Sequence, residues 1–120
     1  MPVQYIPHPI RATITYPVRA LDTTYQNLGL RPILVMVTVS ARCNAAVLAQ
    51  AFVMVLVDPA WPPAINVAAT GLPALTRAHD ERDYSVISFL VPPGQYYRLM
   101  SNVLGVGTTL TAPWWQEVQL

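Results

Sequence analysis

The residues best equipped for chemistry stand in one short stretch, His79, Asp80, Glu81, Arg82 and Asp83. A histidine beside a carboxylate is raw material for acid–base catalysis, because imidazole titrates near neutrality and a carboxylate can fix its tautomer. A hydrolytic site also needs a nucleophile within hydrogen-bond reach of that base. His79 and Asp80 are adjacent, and adjacent side chains seldom point at each other. The other histidine, His8, lies in a proline-rich stretch at the start of the sequence. The single cysteine, Cys43, falls between Arg42 and Asn44 in an expected turn with no histidine near it in sequence, so it reads as a structural or incidental thiol. One cysteine permits neither an intrachain disulfide nor a thiolate metal site. Asp80, Glu81 and Asp83 could offer oxygens to calcium, but Arg82 opposes a cation and no turn glycine shapes the loop. A hydrated loop or an inter-subunit salt link is the plainer reading. No nucleophile elbow, zinc-binding helix motif or phosphate-cradling glycine loop is present. The expectation is a protein that is not an enzyme and needs no cofactor or metal.

The aromatic residues are the other candidates. Tyr96-Tyr97 and Trp114-Trp115 fall in expected strands, where neighbouring side chains face opposite sides of the sheet. One of each pair can enter a core, and the other then stands outside. An outward ring can stack on a sugar of a host-surface glycan or anchor a protein contact. If both faces are covered by neighbours, all four rings are packing, and that is the preferred reading. Trp61, followed by Pro62-Pro63, suggests a stiff extended segment with an aromatic anchor. Arg31 joins these five as a candidate contact residue.

The elements that must position these groups are strands. Residues 33–39 alternate, with Ile33, Val35, Val37 and Val39 facing one way and Leu34, Met36 and Thr38 the other. Residues 46–57 alternate again, and both faces are apolar. A helix over 41–51 competes, since a continuous apolar run has no diagnostic period, but the branched second half favours a strand. A strand apolar on both faces needs cover on both, from a long loop or from another subunit. Residues 84–91 form a further strand, Pro92-Pro93-Gly94 a turn, and residues 95–104 the returning partner strand. Gly105-Val106-Gly107 reverses the chain again, and 108–111 and 114–118 close it. Residues 58–83 read as the least regular segment, with a short strand at 65–69. Residues 1–20 form a proline-punctuated arm in which 11–16 can pair at an edge. Short strands separated by Gly and Pro turns predict an all-β single domain over 21–120, an antiparallel β-sandwich of jelly-roll-like type, behind the extended arm.

Composition narrows the class. Of 120 residues, 53% are hydrophobic and only 11% charged, so exposed faces are poorly protected from association. This favours a subunit of an assembly. The net charge of +1 lacks the clustered cations that nucleic acid demands. All seven cations are arginine, which suits planar interface contacts, although a GC-rich genome gives the same bias. No signal sequence is visible, and the apolar run 45–57 is too short to span a bilayer as a helix. The expectation is a chain made and kept in a cytoplasm until it is built into a larger object.

Three phrases then carry a resemblance: Thr23-Thr24-Tyr25-Gln26-Asn27 leading to Arg31-Pro32-Ile33, then Ser88-Phe89-Leu90-Val91-Pro92-Pro93-Gly94, then Trp114-Trp115-Gln116-Glu117. Over about residues 19–118 the chain resembles the small β-domains at the tips of tailed-bacteriophage fibres and related virion proteins. Tyr25 and Asn27 match the aromatic-x-Asn turn, Pro32 and Ile33 the strand entry, Pro92, Pro93 and Gly94 the Val-Pro-Pro-Gly turn, and Trp115 and Glu117 the closing Trp-x-Glu. The resemblance implies a bacteriophage virion structural protein, made in the host bacterial cytoplasm and self-associating as a trimer. It implies a role at a fibre tip in host attachment, or as a capsid or collar decoration, with the N-terminal arm joining other virion proteins and a host glycan as a further partner. The chain departs from the family in its Pro-rich excursion at 58–75 and in standing behind only a short arm. A carbohydrate-binding module outside any virion is the reading from another class.

Overall fold

Branched residues at alternate positions prefer the pleated backbone, where side chains project to opposite faces and pack with cross-strand neighbours. In the computed structural model, which describes residues 13–43, 49–75, 81–104 and 108–120, this preference yields eight strands. They are β1 (Thr13–Thr15), β2 (Thr24–Gln26), β3 (Ile33–Cys43), β4 (Ala49–Asp58), β5 (Asn66–Leu75), β6 (Glu81–Val91), β7 (Tyr96–Leu104) and β8 (Thr108–Gln119). Two antiparallel four-stranded sheets result, one ordered β1-β8-β3-β6 and the other β2-β7-β4-β5. We call them sheets A and B.

The pairing has a simple logic. β1 pairs with β8, β2 with β7, β3 with β6 and β4 with β5. The chain is thus one long antiparallel ribbon, doubled back at the β4–β5 link and rolled so that successive strands change sheets. That is the eight-stranded jelly roll, one of the ways an all-β chain limits its exposed edges. The expected all-β sandwich of jelly-roll type is the observed fold.

The core is the space between the sheets. Sheet A contributes Ile33, Val35, Val37, Val39 and Ala41 from β3, Ile87, Phe89 and Val91 from β6, and Trp115 from β8. Sheet B contributes Ala51, Val53, Val55 and Val57 from β4, with Tyr97 and Leu99 from β7. Period-two burial of small branched residues lets the faces interdigitate at the usual spacing of about 10 Å. On the β5–β6 side, the Thr70 and Ser85 hydroxyls share a hydrogen bond of 2.6 Å and tie the sheets together.

Four expectations are corrected. Residues 95–104 do not return as the hairpin partner of 84–91: β6 pairs with β3, and β7 pairs with β2 and β4 in the other sheet. The Pro92-Pro93-Gly94 turn therefore arches across the core. Turn chemistry specifies the reversal but not which sheet receives the next strand. The segment 58–83 is not largely irregular, because β5 runs ten residues through Gly71 and Pro73. β5 is an edge strand paired only with β4, and an edge tolerates a residue lacking a ladder donor. Residues 108–118 form one strand rather than two, with the register against β3 shifting between Thr38 and Ser40. Cys43 ends β3 opposite Glu81 and Thr108 rather than sitting in a turn. His8, His79 and Asp80 lie outside the described residues, as does the 105–107 reversal.

Of the expected arm at 1–20, residues 13–20 are described. Thr13–Thr15 pairs with Glu117–Gln119 at the edge of sheet A, and the chain then continues past the sandwich's open side.

Candidate interaction surface

Two buried polar clusters shape the molecule around its exposed aromatic face. The first closes the open side opposite the Thr70–Ser85 tie. Trp115 and Glu117, two apart on β8, both point inward. One carboxylate oxygen, Glu117 Oε2, accepts the Tyr97 hydroxyl at 2.5 Å and the Trp115 indole N–H at 3.0 Å. Arg19 Nε lies 3.6 Å from the same oxygen. The Arg19 guanidinium also sits 4.3 Å from the centre of the Tyr25 ring, within cation–π range. Tyr25 in turn meets Trp115 edge-on at 6.0 Å and Tyr97 at 5.7 Å, and its hydroxyl accepts the Ala20 N–H at 2.7 Å. Burial, together with the neighbouring Glu117 charge, pushes the Tyr97 phenol far above its ordinary range. Four elements are thereby fastened at one point: the 16–20 strap, β2, β7 and β8.

The second cluster is a latch made by Asn27. Its side-chain amide donates to the Arg31 carbonyl at 2.8 Å and the Val91 carbonyl at 3.0 Å, while its Oδ1 accepts the Gly29 N–H at 3.1 Å. Its backbone pairs with Gln95 and with Gly94. Gln26 Nε2 adds a bond to the Gly94 carbonyl at 2.9 Å. Gly94 takes a positive φ of 79°, the conformation for which glycine is suited. The Pro32 carbonyl accepts the N–H of Leu120 at 3.0 Å. The three phrases that are distant in sequence, around Asn27, Gly94 and Glu117, are thus stitched into one end of the sandwich.

The aromatic pairs split as the pleat requires. Tyr97 and Trp115 are buried, Tyr96 is half-buried, and Trp114 stands outside. Trp61 and Arg31 are exposed on loops, and Pro92 and Pro93 are exposed at their turn. On the outer face of sheet A, Trp114 stacks on Tyr84 with ring centres 6.0 Å apart. Tyr84 is 53% exposed, Val86 67%, Leu90 55% and Trp114 62%, so this face is broadly apolar and wet. Cross-strand register aligns Leu90 with Leu34 and Val118, and Val86 with Thr38 and Trp114. A groove of about 530 Å³ runs here between the strap residues Tyr16, Pro17 and Val18 and the sheet residues Met36, Thr38, Val86, Trp114 and Gln116.

The strand that the sequence reads as apolar on both faces, and so in need of cover on both, is β4. The outward residues of β4 are largely shielded within the chain: Leu56 is buried, and Phe52 and Met54 are half-buried. β4 is central, flanked by β5 and β7, and same-face neighbours such as Arg98 and Met100 stand beside Leu56 and Met54. On sheet A, exposed apolar residues stand on β6, an edge strand, and on β8 beside the strap, while Val18, Leu28 and Leu30 are exposed outside the strands. Tyr84 and Val86 were seen only as alternating strand residues, and Arg19 was missed altogether. Its role depends on partners far along the chain, and no local signal marks it.

Among the described residues, no three His, Cys, Asp or Glu side chains gather as metal ligands, and no helix is long and apolar enough to cross a membrane. Neither the protein-family models, nor the curated proteins, nor the solved structures yield a match to this chain.

Proposed function

We propose that this protein is a structural subunit of a bacteriophage particle that works by assembly, with the outer face of sheet A covered by another copy of itself. The observation that carries the reading is the group of apolar residues Tyr84, Val86, Leu90 and Trp114 on one face of sheet A, each more than half exposed. Broad apolar patches on a sheet are characteristic of interaction sites, and an aromatic at their centre is a typical anchor. The scarcity of charge and the jelly-roll fold, shared by many viral coat domains, agree with it. The resemblance to fibre-tip domains adds the virion. A fibre tip or adhesin is the first location and a capsid or collar decoration the second. Mass spectrometry of purified particles should find the chain as a stoichiometric component, and its absence from intact particles would end the reading.

A second reading is favoured by one feature. The stacked Trp114 and Tyr84 rings form a flat platform of the kind that packs against a sugar face. Under it, the domain contacts host glycans. A glycan array with the wild-type chain and Trp114→Ala separates the two: sugar binding lost in the variant supports glycan contact, and none in either supports assembly.

A further inference from the structure

We propose that the groove on sheet A receives the proline-rich segment Tyr5-Ile6-Pro7-His8-Pro9-Ile10 of a second copy of this chain, so that copies exchange N-terminal arms. The inference rests on the self-association proposed above and names what makes it.

The groove has the chemistry that extended proline-rich segments require. Such segments adopt a left-handed extended helix whose rings and aliphatic side chains dock between aromatic rings, with little ordering entropy to lose. Trp114, Tyr16, Met36 and Val86 line the groove together with Arg19, and Tyr84 stacks on Trp114. Gln116 and Thr38 supply hydrogen-bonding groups for a backbone that makes no internal bonds. Prolines at 7 and 9, flanked by Tyr5, Ile6 and Ile10, supply the matching rings and branched side chains. The segment carries no Asp, Glu, Lys or Arg, so an apolar groove takes it without burying an ionised carboxylate or cation.

The register decides between a chain's own groove and a neighbour's. β1 runs antiparallel to β8, with Thr13 opposite Gln119 and Thr15 opposite Glu117. Moving from Thr15 towards Thr13 therefore leads away from Trp114, which lies beyond the Thr15 end. Thr13, the first described residue, stands at the Gln119 position, about five residues or roughly 17 Å from Trp114. To fill its own groove the segment would have to double back over β1. Ile10 to Tyr5 stand three to eight residues before Thr13, so at about 3.1 Å each an extended segment reaches roughly 9–25 Å outward from that edge, towards a neighbouring copy and without a reversal. Because each copy would both give and receive an arm, the contact can close into a ring or a reciprocal pair.

The test uses the full chain. A photo-crosslinking amino acid replaces Pro7, and light and heavy isotope-labelled copies are mixed before irradiation. Crosslinks from position 7 to peptides containing Trp114 or Tyr84, in light–heavy pairs, are the expected result. Crosslinks confined to single chains, or none at this groove, overturn the inference. Sedimentation of Pro7→Ser/Pro9→Ser and of Trp114→Ala completes it. Each should weaken association by about tenfold or more, as loss of an interface anchor does. If Trp114→Ala dissociates the assembly while the proline variant associates normally, the apolar faces meet each other directly. The arm exchange then falls while the assembly reading stands. If the wild-type chain does not associate at all, both fall.

Discussion

At the residue scale, the molecule depends on a few saturated polar groups inside an otherwise apolar interior. Glu117 Oε2 alone receives both the Tyr97 hydroxyl and the Trp115 indole N–H. Glu117→Ala would leave two buried donors without an acceptor and should lower stability by about 3 kcal/mol in urea unfolding. Glu117→Gln keeps a carbonyl oxygen with two lone pairs, and should lose only about 1 kcal/mol, chiefly from the Arg19 contact. Equal losses in the two variants would show that the donors find other partners. Tyr97 provides a pH signature. Its phenol is held protonated in the folded state by burial and by the Glu117 carboxylate. Below about pH 10, the ordinary phenol value, both states keep the proton and stability is unaffected. Above it the unfolded phenol ionises while the folded one does not, so stability should fall by up to about 1.4 kcal/mol per pH unit. Tyr97→Phe should lack this component, and denaturant midpoints for both proteins between neutral and strongly alkaline pH would reveal it. Of these residues, Tyr25, Asn27, Tyr97, Trp115 and Glu117 could be singled out from sequence because they stand in distinctive short phrases. Their mutual contacts could not, since each bond joins segments brought together only by the rolled topology.

At the scale of elements, alternation made β3, β4, β6 and β7 legible, because buried faces impose a period of two on branched residues. β1 and β2, three residues each, are too short to carry a period. β5 was obscured by Gly71 and Pro73, which read as breakers until its edge position is known. The Val91-Pro92-Pro93-Gly94 turn was recognised, yet its arch from sheet A to sheet B was not, since a local turn signal says nothing of distant pairing. What holds that arch is the Asn27 latch, which bonds the Val91 carbonyl and the Gly94 N–H from β2's far end. Asn27→Ala removes three side-chain hydrogen bonds from a buried site and should cost about 2–3 kcal/mol. Gly94→Ala meets no atom within 4 Å, so its penalty is backbone conformation alone, about 1 kcal/mol from the positive φ. Thermal unfolding of the two variants should therefore rank Asn27→Ala well below Gly94→Ala. The reverse order would mean that the turn, not the latch, secures the crossing.

At the scale of the whole molecule, the sandwich is fastened on both open sides, by Thr70–Ser85 and by the Glu117 cluster, and its interior is complete within one chain. What is incomplete is an outside. Sequence composition pointed to faces poorly protected from association, and on sheet A the exposed apolar residues stand on β6 and β8. Trp114 is outside the core, so its removal should leave folding intact while weakening contact between copies. Sedimentation velocity of the full chain over a broad dilution series, beside Trp114→Ala with an unchanged unfolding midpoint, tests this directly. The account predicts a concentration-dependent oligomer for the wild type and, for the variant, association weakened by about tenfold or more. A wild-type chain that stays monomeric at every concentration, or a variant that associates as well as the wild type, would contradict it.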